Sequence, residues 1–355
     1  MICVQCKNVL VAVTMTVHED TPGSQENKAW PSTQNPTVTW LLSVKNSMPF
    51  LPETLASIER QTYKNHQVLA WDDCSTDGSL EELQRWIPNR LPGKIFAHQS
   101  KTLGASLAFL VEQASTELCA RIDGDDVNLP TRLEKQVSFL LGQPHIGIAG
   151  GQISVINENG EIQDAGHWWT YATADALLRW RSRWQSQFCH PAVMFRRSVV
   201  LEAGNYRDVK AAEDSDLWLR LCERTGMANM TDKILHYRRS RSSTTGKVVE
   251  FLPYERETAL RNATILFPNI SDPQRAMELW EATHPLYLSN PSRFRDLFEL
   301  KGAAIALAKK VGKDRNYFLN TATFQEQYES LKIRFYERQG VLSLRKSWHR
   351  LLGRA

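Results

Sequence analysis

From Thr37 onward the chain alternates strand-like and helix-like segments, and acidic residues sit where the strand-like segments end. The segment TVTWLLSV (37–44) is β-branched and apolar, as a buried strand requires. After a loop over 45–51, Pro52 stands where the first turn of a helix tolerates proline, and the helix runs to Gln61 with Leu55 and Ile58 on one face. HQVLAW (66–71) reads as a second strand running into Asp72 and Asp73, followed by a helix over 77–86. A third strand is expected over 94–98, a helix over 104–114 and a fourth strand over 117–122, ending at Asp123. A helix over 130–141 and an apolar strand over 146–156 follow, with a turn at Asn159-Gly160. Alternation of this kind specifies an α/β fold, an open and mostly parallel sheet with helices on both faces. Such sheets bind ligands beyond the carboxyl ends of their strands, and the carboxylates fall there.

With 355 residues, 42% of them apolar, the chain can bury a full core and has room for an appendage. Residues 1–36 read as a flexible leader, 37–245 as the α/β domain and 246–355 as a helical C-terminal region. Helices are expected there over 254–266, 273–283 and 292–311. The apolar run from Val9 to Thr14 is far shorter than the roughly 20 residues of a membrane span, and no clear cleavage site follows it. Met15 is an alternative start. Cys3 and Cys6 form the one close cysteine pair, so neither a structural zinc site nor a disulfide framework is expected, and a reducing cytoplasm is the simplest compartment. A net charge of +4 with scattered basic residues argues against a nucleic-acid partner. The tail over 342–352 interleaves Arg345, Lys346, His349 and Arg350 with Leu344, Trp348 and Leu351. It suits a helix packed back on the protein, or peripheral contact with a membrane surface.

Three acidic stretches carry the chemistry. In Asp123-Gly-Asp-Asp126, two carboxylates two positions apart at a strand end can face one crevice and offer the oxygen ligands that Mg²⁺ or Mn²⁺ takes. Gly124 lets the backbone come close to a ligand. Alone, this reads first as a solvated acidic turn. In DDCSTDGS (72–79), the carboxylates can accept from a nucleobase N–H or ribose hydroxyls, and a residue within 75–79 can cap the next helix. In AEDSDLWLRL (212–221), Glu213 and Asp214 open a helix whose apolar face is Leu217, Trp218 and Leu221. Acidic residues there suit the helix dipole, and also a general base.

In their order and spacing these stretches resemble the family 2 glycosyltransferases, over roughly residues 37–245. The resemblance also rests on LSVKN (42–46), SIERQTY (57–63), Pro130, Arg132 and Leu133, His190-Pro191, MFRR (194–197), GNY (204–206) and Tyr237-Arg238. It implies a GT-A fold, a Rossmann-like mostly parallel sheet with flanking helices. It implies, too, an inverting transfer of sugar from a nucleotide-sugar, with UDP as the expected nucleotide, to a glycan or lipid-linked acceptor. By the same resemblance Asp73 or its neighbour Asp72 recognises the base and ribose, and Asp123 and Asp125 hold Mg²⁺ or Mn²⁺ on the diphosphate. Asp126 faces the donor sugar, and Asp214 is the general base. His190 and Glu213 are expected to contact substrate.

The chain departs from the family pattern at two places. Tyr237-Arg-Arg-Ser240 lacks the usual final histidine, which makes Arg238 or Arg241 the expected phosphate clamp in its stead. His236 stands in the same stretch. Lys45 replaces a common aromatic residue and reads either as a diphosphate contact or as a surface lysine. Trp168, Trp169, Trp180 and Trp184 lie where the family faces its acceptor; Trp168 and Trp169 can stack on a sugar ring, whereas Trp180 and Trp184 also suit one buried helix face. Two alternatives remain. A nucleotidyltransferase would show a Gly-rich basic loop after the first strand, which residues 45–49 are not, and a non-catalytic glycan binder would not need Asp123, Asp125 and Asp214 together.

Overall fold

The computed structural model describes residues 35–164, 188–222, 224–239, 248–283, 293–310, 314–320 and 322–338. Its first half is a run of strand–helix units: β1 (Val38–Val44), α1 (Leu51–Glu59), β2 (His66–Asp72), α2 (Ser79–Trp86), β3 (Gly93–Ala97), α3 (Leu103–Gln113) and β4 (Leu118–Asp123). There follow β5 (Val127–Asn128), α4 (Arg132–Gly142), β6 (Ile146–Ile156) and β7 (Ile162–Asp164), then β8 (Met194–Arg196), α5 (Arg197–Glu202), α6 (Glu213–Leu221) and β9 (Gly226–Arg238). The C-terminal region is helical where it is described: α7 (Val248–Arg261), α8 (Ala263–Leu266), α9 (Pro273–Thr283), α10 (Phe294–Lys310) and α11 (Ala322–Arg338).

The strands form one nine-stranded sheet in the order β3-β2-β1-β4-β8-β6-β9-β5, with β7 beside β6. The first four are mutually parallel, β6 and β9 pair in parallel, and β5, β7 and β8 pair antiparallel to their neighbours. The mostly parallel Rossmann-like sheet expected from the sequence is therefore present. β9 was not legible in the sequence. Its stretch GMANMTDKILHYR mixes polar and apolar residues without clean alternation, and its pairing with β6 slips register at several points.

Strand alternation divides the core. Val38, Trp40, Leu42 and Val44 of β1 face a cluster containing Leu55 of α1, Leu83 of α2 and Leu133 and Val137 of α4. Leu41 points the other way, into a cluster with Leu107 of α3, Val199 of α5 and Leu217 and Trp218 of α6. Each face is thus covered by helices, and parallel strands buried on both faces read as continuous apolar runs. A third cluster joins Leu266, Trp280, Leu300 and Leu307 of the C-terminal helices to Leu219 of α6.

Register places the site. Across β1, Val44 pairs with Asp72 of β2 and Ser43 with Asp123 of β4. The two acidic strand ends therefore lie level, one on each side of β1, about 10 Å apart at the usual spacing of strands. The sheet grows outward from β1 in both directions, so the crevice between these ends is a topological switch point.

Candidate active site

At the end of β2, Asp72 is buried, and one of its oxygens accepts the Ser75 N–H at 3.0 Å. Its other oxygen, Oδ1, has no partner. Asp73 accepts from Lys45 Nζ at 2.8 Å and from the Ser100 N–H at 2.6 Å. Burial pushes the Asp73 carboxyl up, but Lys45 and the two hydrogen bonds outweigh it and hold it below the usual range. Lys45 is thus the ion partner of Asp73. The loop carrying it is laced to the segment after β2: Asn46 N–H to Ser75 Oγ at 3.0 Å, Ser47 N–H to Ser79 Oγ at 2.9 Å, Met48 N–H to Asp77 Oδ2 at 2.8 Å. The side-chain helix cap expected within 75–79 is not formed: the N-cap is Gly78 in a left-handed conformation (φ 95°), and Asp77 Oδ1, one residue earlier, accepts the Ser79 N–H at 3.1 Å.

At the end of β4, carboxylate oxygens of Asp123, Asp125 and Asp126 all lie within 4.8 Å of one another. Three acids so close resist ionising together. Burial, and then the charge of Asp123, push Asp125 up to about 6, and burial drives Asp126 well above the carboxylate range. Buried Arg121 supplies a nearby positive charge, its Nη1 on Asp123 Oδ2 at 2.5 Å. An all-oxygen donor set with a partnerless buried oxygen, Asp126 Oδ2, fits a hard divalent cation.

The turn is held from several sides. Thr54 and Ser57 of α1 and Gln61 just beyond its end reach it: Thr54 Oγ1 donates to the Asp126 carbonyl at 2.8 Å, Ser57 Oγ accepts the Asn128 N–H at 3.0 Å, and Gln61 Nε2 donates to the Leu129 carbonyl at 2.9 Å. Arg132, wholly buried, donates to the Arg121 carbonyl at 2.8 Å and the Pro191 carbonyl at 2.8 Å, tying α4 to β4 and to the segment before β8.

Three expectations at this turn need correction. Gly124 is needed for contact within the protein rather than with a ligand, since a Cβ there would lie 2.6 Å from Ser47 Oγ and 2.9 Å from Val44 Cγ1. Asp126 is not open to a donor sugar: it is fully buried, and its Oδ1 accepts the Arg238 N–H at 2.7 Å. Arg238 is no free phosphate clamp. Its guanidinium is spent inside the protein, on the carbonyls of Asp125 at 2.8 Å, Asn157 at 3.0 Å and Glu158 at 3.1 Å and on the Glu53 carboxylate, while it lies over the Phe50 ring. It braces the acidic turn from behind.

The third group gathers at the start of α6. Ala212 adopts a left-handed conformation (φ 60°), and the helix then presents Glu213 and Asp214 in its first turn. Asp214 Oδ1 accepts the Ser215 N–H at 2.6 Å. Burial raises the Asp214 carboxyl above its usual value, against the charge of Arg121. Burial raises Glu213 as well. His190 packs edge-on against Trp218, its Nε2 lies 3.0 Å from Tyr206 Oη, and its Nδ1 lies 3.5 Å from Glu213 Oε1. Burial and the charge of Arg121 push His190 down to about 3, so the contact with Glu213 involves a neutral imidazole and is not an ion pair.

Tyr206 stood in the GNY motif without a role, and Arg121 was not singled out. Arg121 had a readable signal: it stands two residues before Asp123 on a strand, hence on the same face. The Lys45–Asp73 pair, 28 positions apart, left no such local trace. His236 is half-buried on β9, opposite Val127. Trp168, Trp169, Trp180, Trp184, Arg241, the Cys3/Cys6 pair and the tail over 342–352 lie outside the described residues. No helix among the described residues is long and apolar enough to cross a membrane.

Comparison with known proteins bears on this arrangement. A family model described as "Glycosyl transferase family 2" matches residues 39–204, which include both acidic strand ends. EpsE of Bacillus subtilis, named as a glycosyltransferase, is 34% identical over 194 residues, covering 53% of this chain and 67% of EpsE. The O-antigen biosynthesis glycosyltransferase WbnJ of Escherichia coli is 29% identical over 210 residues, covering 58% of this chain and 80% of WbnJ. In overall shape the chain matches residues 1–349 of S. aureus TarS in complex with UDP-GlcNAc, with a TM-score of 0.54 at 16% identity over 86% of this chain and 92% of that one. The shared fold, the matched segment and the extent of its likeness to EpsE place the chain in glycosyl transferase family 2.

Proposed function

We propose that this chain moves a sugar from a nucleotide-sugar, with UDP as the nucleotide, to a hydroxyl of a glycan or lipid-linked acceptor, inverting the anomeric centre, in the synthesis of a cell-surface polysaccharide. The observation that carries this reading is the level placement of two acidic strand ends on either side of β1, with a third pair of acids at the start of α6. Asp72 and Asp73 suit the base and ribose, and Asp123 and Asp125 suit a cation on the diphosphate. The UDP-GlcNAc bound by TarS supports a uridine donor, and the name of WbnJ supports a polysaccharide product.

Asp123 and Asp125 would hold Mg²⁺ or Mn²⁺, which when bound offsets negative charge on the departing diphosphate. The rest of the reaction belongs to the chain's own groups. The Asp214 carboxylate accepts the proton of the acceptor hydroxyl as that oxygen attacks the anomeric carbon. The bond from this carbon to the diphosphate oxygen breaks with its electron pair, and the proton stays on Asp214. One displacement inverts the centre, so one base is enough. Burial suits Asp214 to the task, because a carboxylate with a raised pKa is a stronger base. His190, Glu213 and Tyr206 line the same side, and stacking of the acceptor on Trp168 and Trp169 rests on the sequence alone. The location proposed is the cytoplasm, and the tail over 342–352 suits a helix packed back on the protein before it suits contact with the inner face of the membrane.

The test is a panel of UDP-, GDP- and dTDP-sugars assayed for binding and hydrolysis with Mn²⁺, with Mg²⁺ and with EDTA. One donor should bind in a metal-dependent way. Asp125→Ala should abolish that binding, whereas Asp214→Ala should keep it and lose turnover. Failure of every nucleotide-sugar to bind under any condition overturns the reading and favours a glycan-binding role.

A further inference from the structure

The C-terminal helices build their own apolar cluster, yet one member, Leu219, belongs to α6, the helix whose first turn carries Glu213 and Asp214. The polar contact beside it is denser. Asp216, with no exposed surface, accepts from Asn262 Nδ2 at 2.9 Å and from Arg261 Nη1 at 3.3 Å, both at the junction of α7 and α8. It also accepts from Arg220 Nε at 3.0 Å and from Arg207 Nη1 at 3.1 Å. Asn262 is itself fixed: its side chain donates to the Thr258 carbonyl at 2.9 Å, and its own carbonyl accepts the N–H groups of Ile265 at 2.9 Å and Leu266 at 3.0 Å.

Positions 214 and 216 are two residues apart on one helix, about 200° around its axis. The turn that offers Asp214 to the cleft therefore turns Asp216 toward the C-terminal helices. Arg207 and Arg261 are part-exposed and share their charge with solvent, whereas Arg220 is buried with Asp216. Burial pushes the Asp216 carboxyl up, but Arg220 and Asn262 outweigh it and keep it ionised. The cluster's place in the fold is the attachment of α6 to the rest of the molecule.

We propose that the C-terminal helices are part of the catalytic unit, and that Asp216 is a positioning residue tying the helix of the base to the α7–α8 junction so that Asp214 is held in its working place. This rests on Asp214 being the base. A misplacement of about 1 Å in a reacting group costs on the order of 100-fold in rate, so a loosened α6 should show in turnover before it shows in binding.

The experiment compares the full chain with Asp216→Asn, Asn262→Asp and the double variant that exchanges carboxylate and amide across the contact. Folding is followed by circular dichroism and Tm. Asp216→Asn should lower kcat for donor turnover by roughly 10- to 100-fold while leaving the Kd for UDP with Mn²⁺ within about twofold. The double variant should recover most of the loss, because a carboxylate again sits among the three arginines. Unchanged kcat in a folded Asp216→Asn overturns the proposal, as does a parallel fall in UDP affinity, which marks a general loss of structure. If Asp216→Asn does not fold, Asn262→Ala decides by the same split between kcat and Kd. Wild-type turnover retained by Asp214→Ala overturns the assignment of the base and this proposal with it, whereas failure of the Asp216 arm alone leaves that assignment standing.

Discussion

A single missing Cβ governs how closely the acidic turn after β4 meets the opening loop. Gly124→Ala would set a methyl 2.6 Å from Ser47 Oγ and 2.9 Å from Ser47 Cβ, and overpacking of this kind costs about 1–3 kcal/mol. The expected result is a lower Tm together with weaker Mn²⁺ binding, because Asp123 and Asp125 flank the displaced residue. Ser47→Gly removes two of the three closest atoms, so the double variant should regain part of both losses, read as a double-mutant cycle. Arg121 acts on the other side of the site. Its charge lowers the Asp214 carboxyl, so Arg121→Met should raise that pKa further. A base works only when deprotonated, and activity fades as pH falls through its pKa. The acidic limb of the kcat–pH profile should therefore move to higher pH in Arg121→Met, with a larger loss at pH 6 than at pH 8. A limb that stays in place sinks this assignment.

Elements place the site by clamping a turn that has little structure of its own. β5 is two residues long, and its neighbourhood is held by the polar face of α1 and by Arg238 at the end of β9. Ser57→Ala leaves the Asn128 N–H and Nδ2 without their shared acceptor in a buried place, at a cost of about 1–3 kcal/mol. Metal affinity should fall with stability in this variant, measured by Mn²⁺ titration beside thermal unfolding, whereas Ser57→Thr, which keeps the hydroxyl, should lose less. α1 was legible because Pro52 and the spacing of Leu55 and Ile58 are local signals. Its role as a clamp was not, because Thr54, Ser57 and Gln61 declare their partners only when a segment some 70 residues away arrives beside them.

Across the whole molecule, buried histidines link folding to pH. His66 at the start of β2 is pushed down to about 4 by burial, against an ordinary value of 6.5. The unfolded chain therefore takes up this proton first. The stability that neutral His66 permits is complete above pH 6.5 and is lost as pH falls toward 4, by about 3 kcal/mol at most. Unfolding midpoints in urea between pH 7 and 4 should show this decline, and His66→Gln should flatten it. The sequence by itself determined the alternating α/β plan, the strands β1, β2, β4 and β6 to within a residue or two, and the three acidic stretches, because each is written in local periodicity and composition. It also carried enough ordered motif to mark the family. Tertiary structure alone decided that Lys45 pairs with Asp73, that Asp126 and Arg238 face inward, and that α6 is bound to the C-terminal helices through Asp216. In each case the outcome depends on which group distant in sequence comes within hydrogen-bonding reach, and local periodicity holds no record of that.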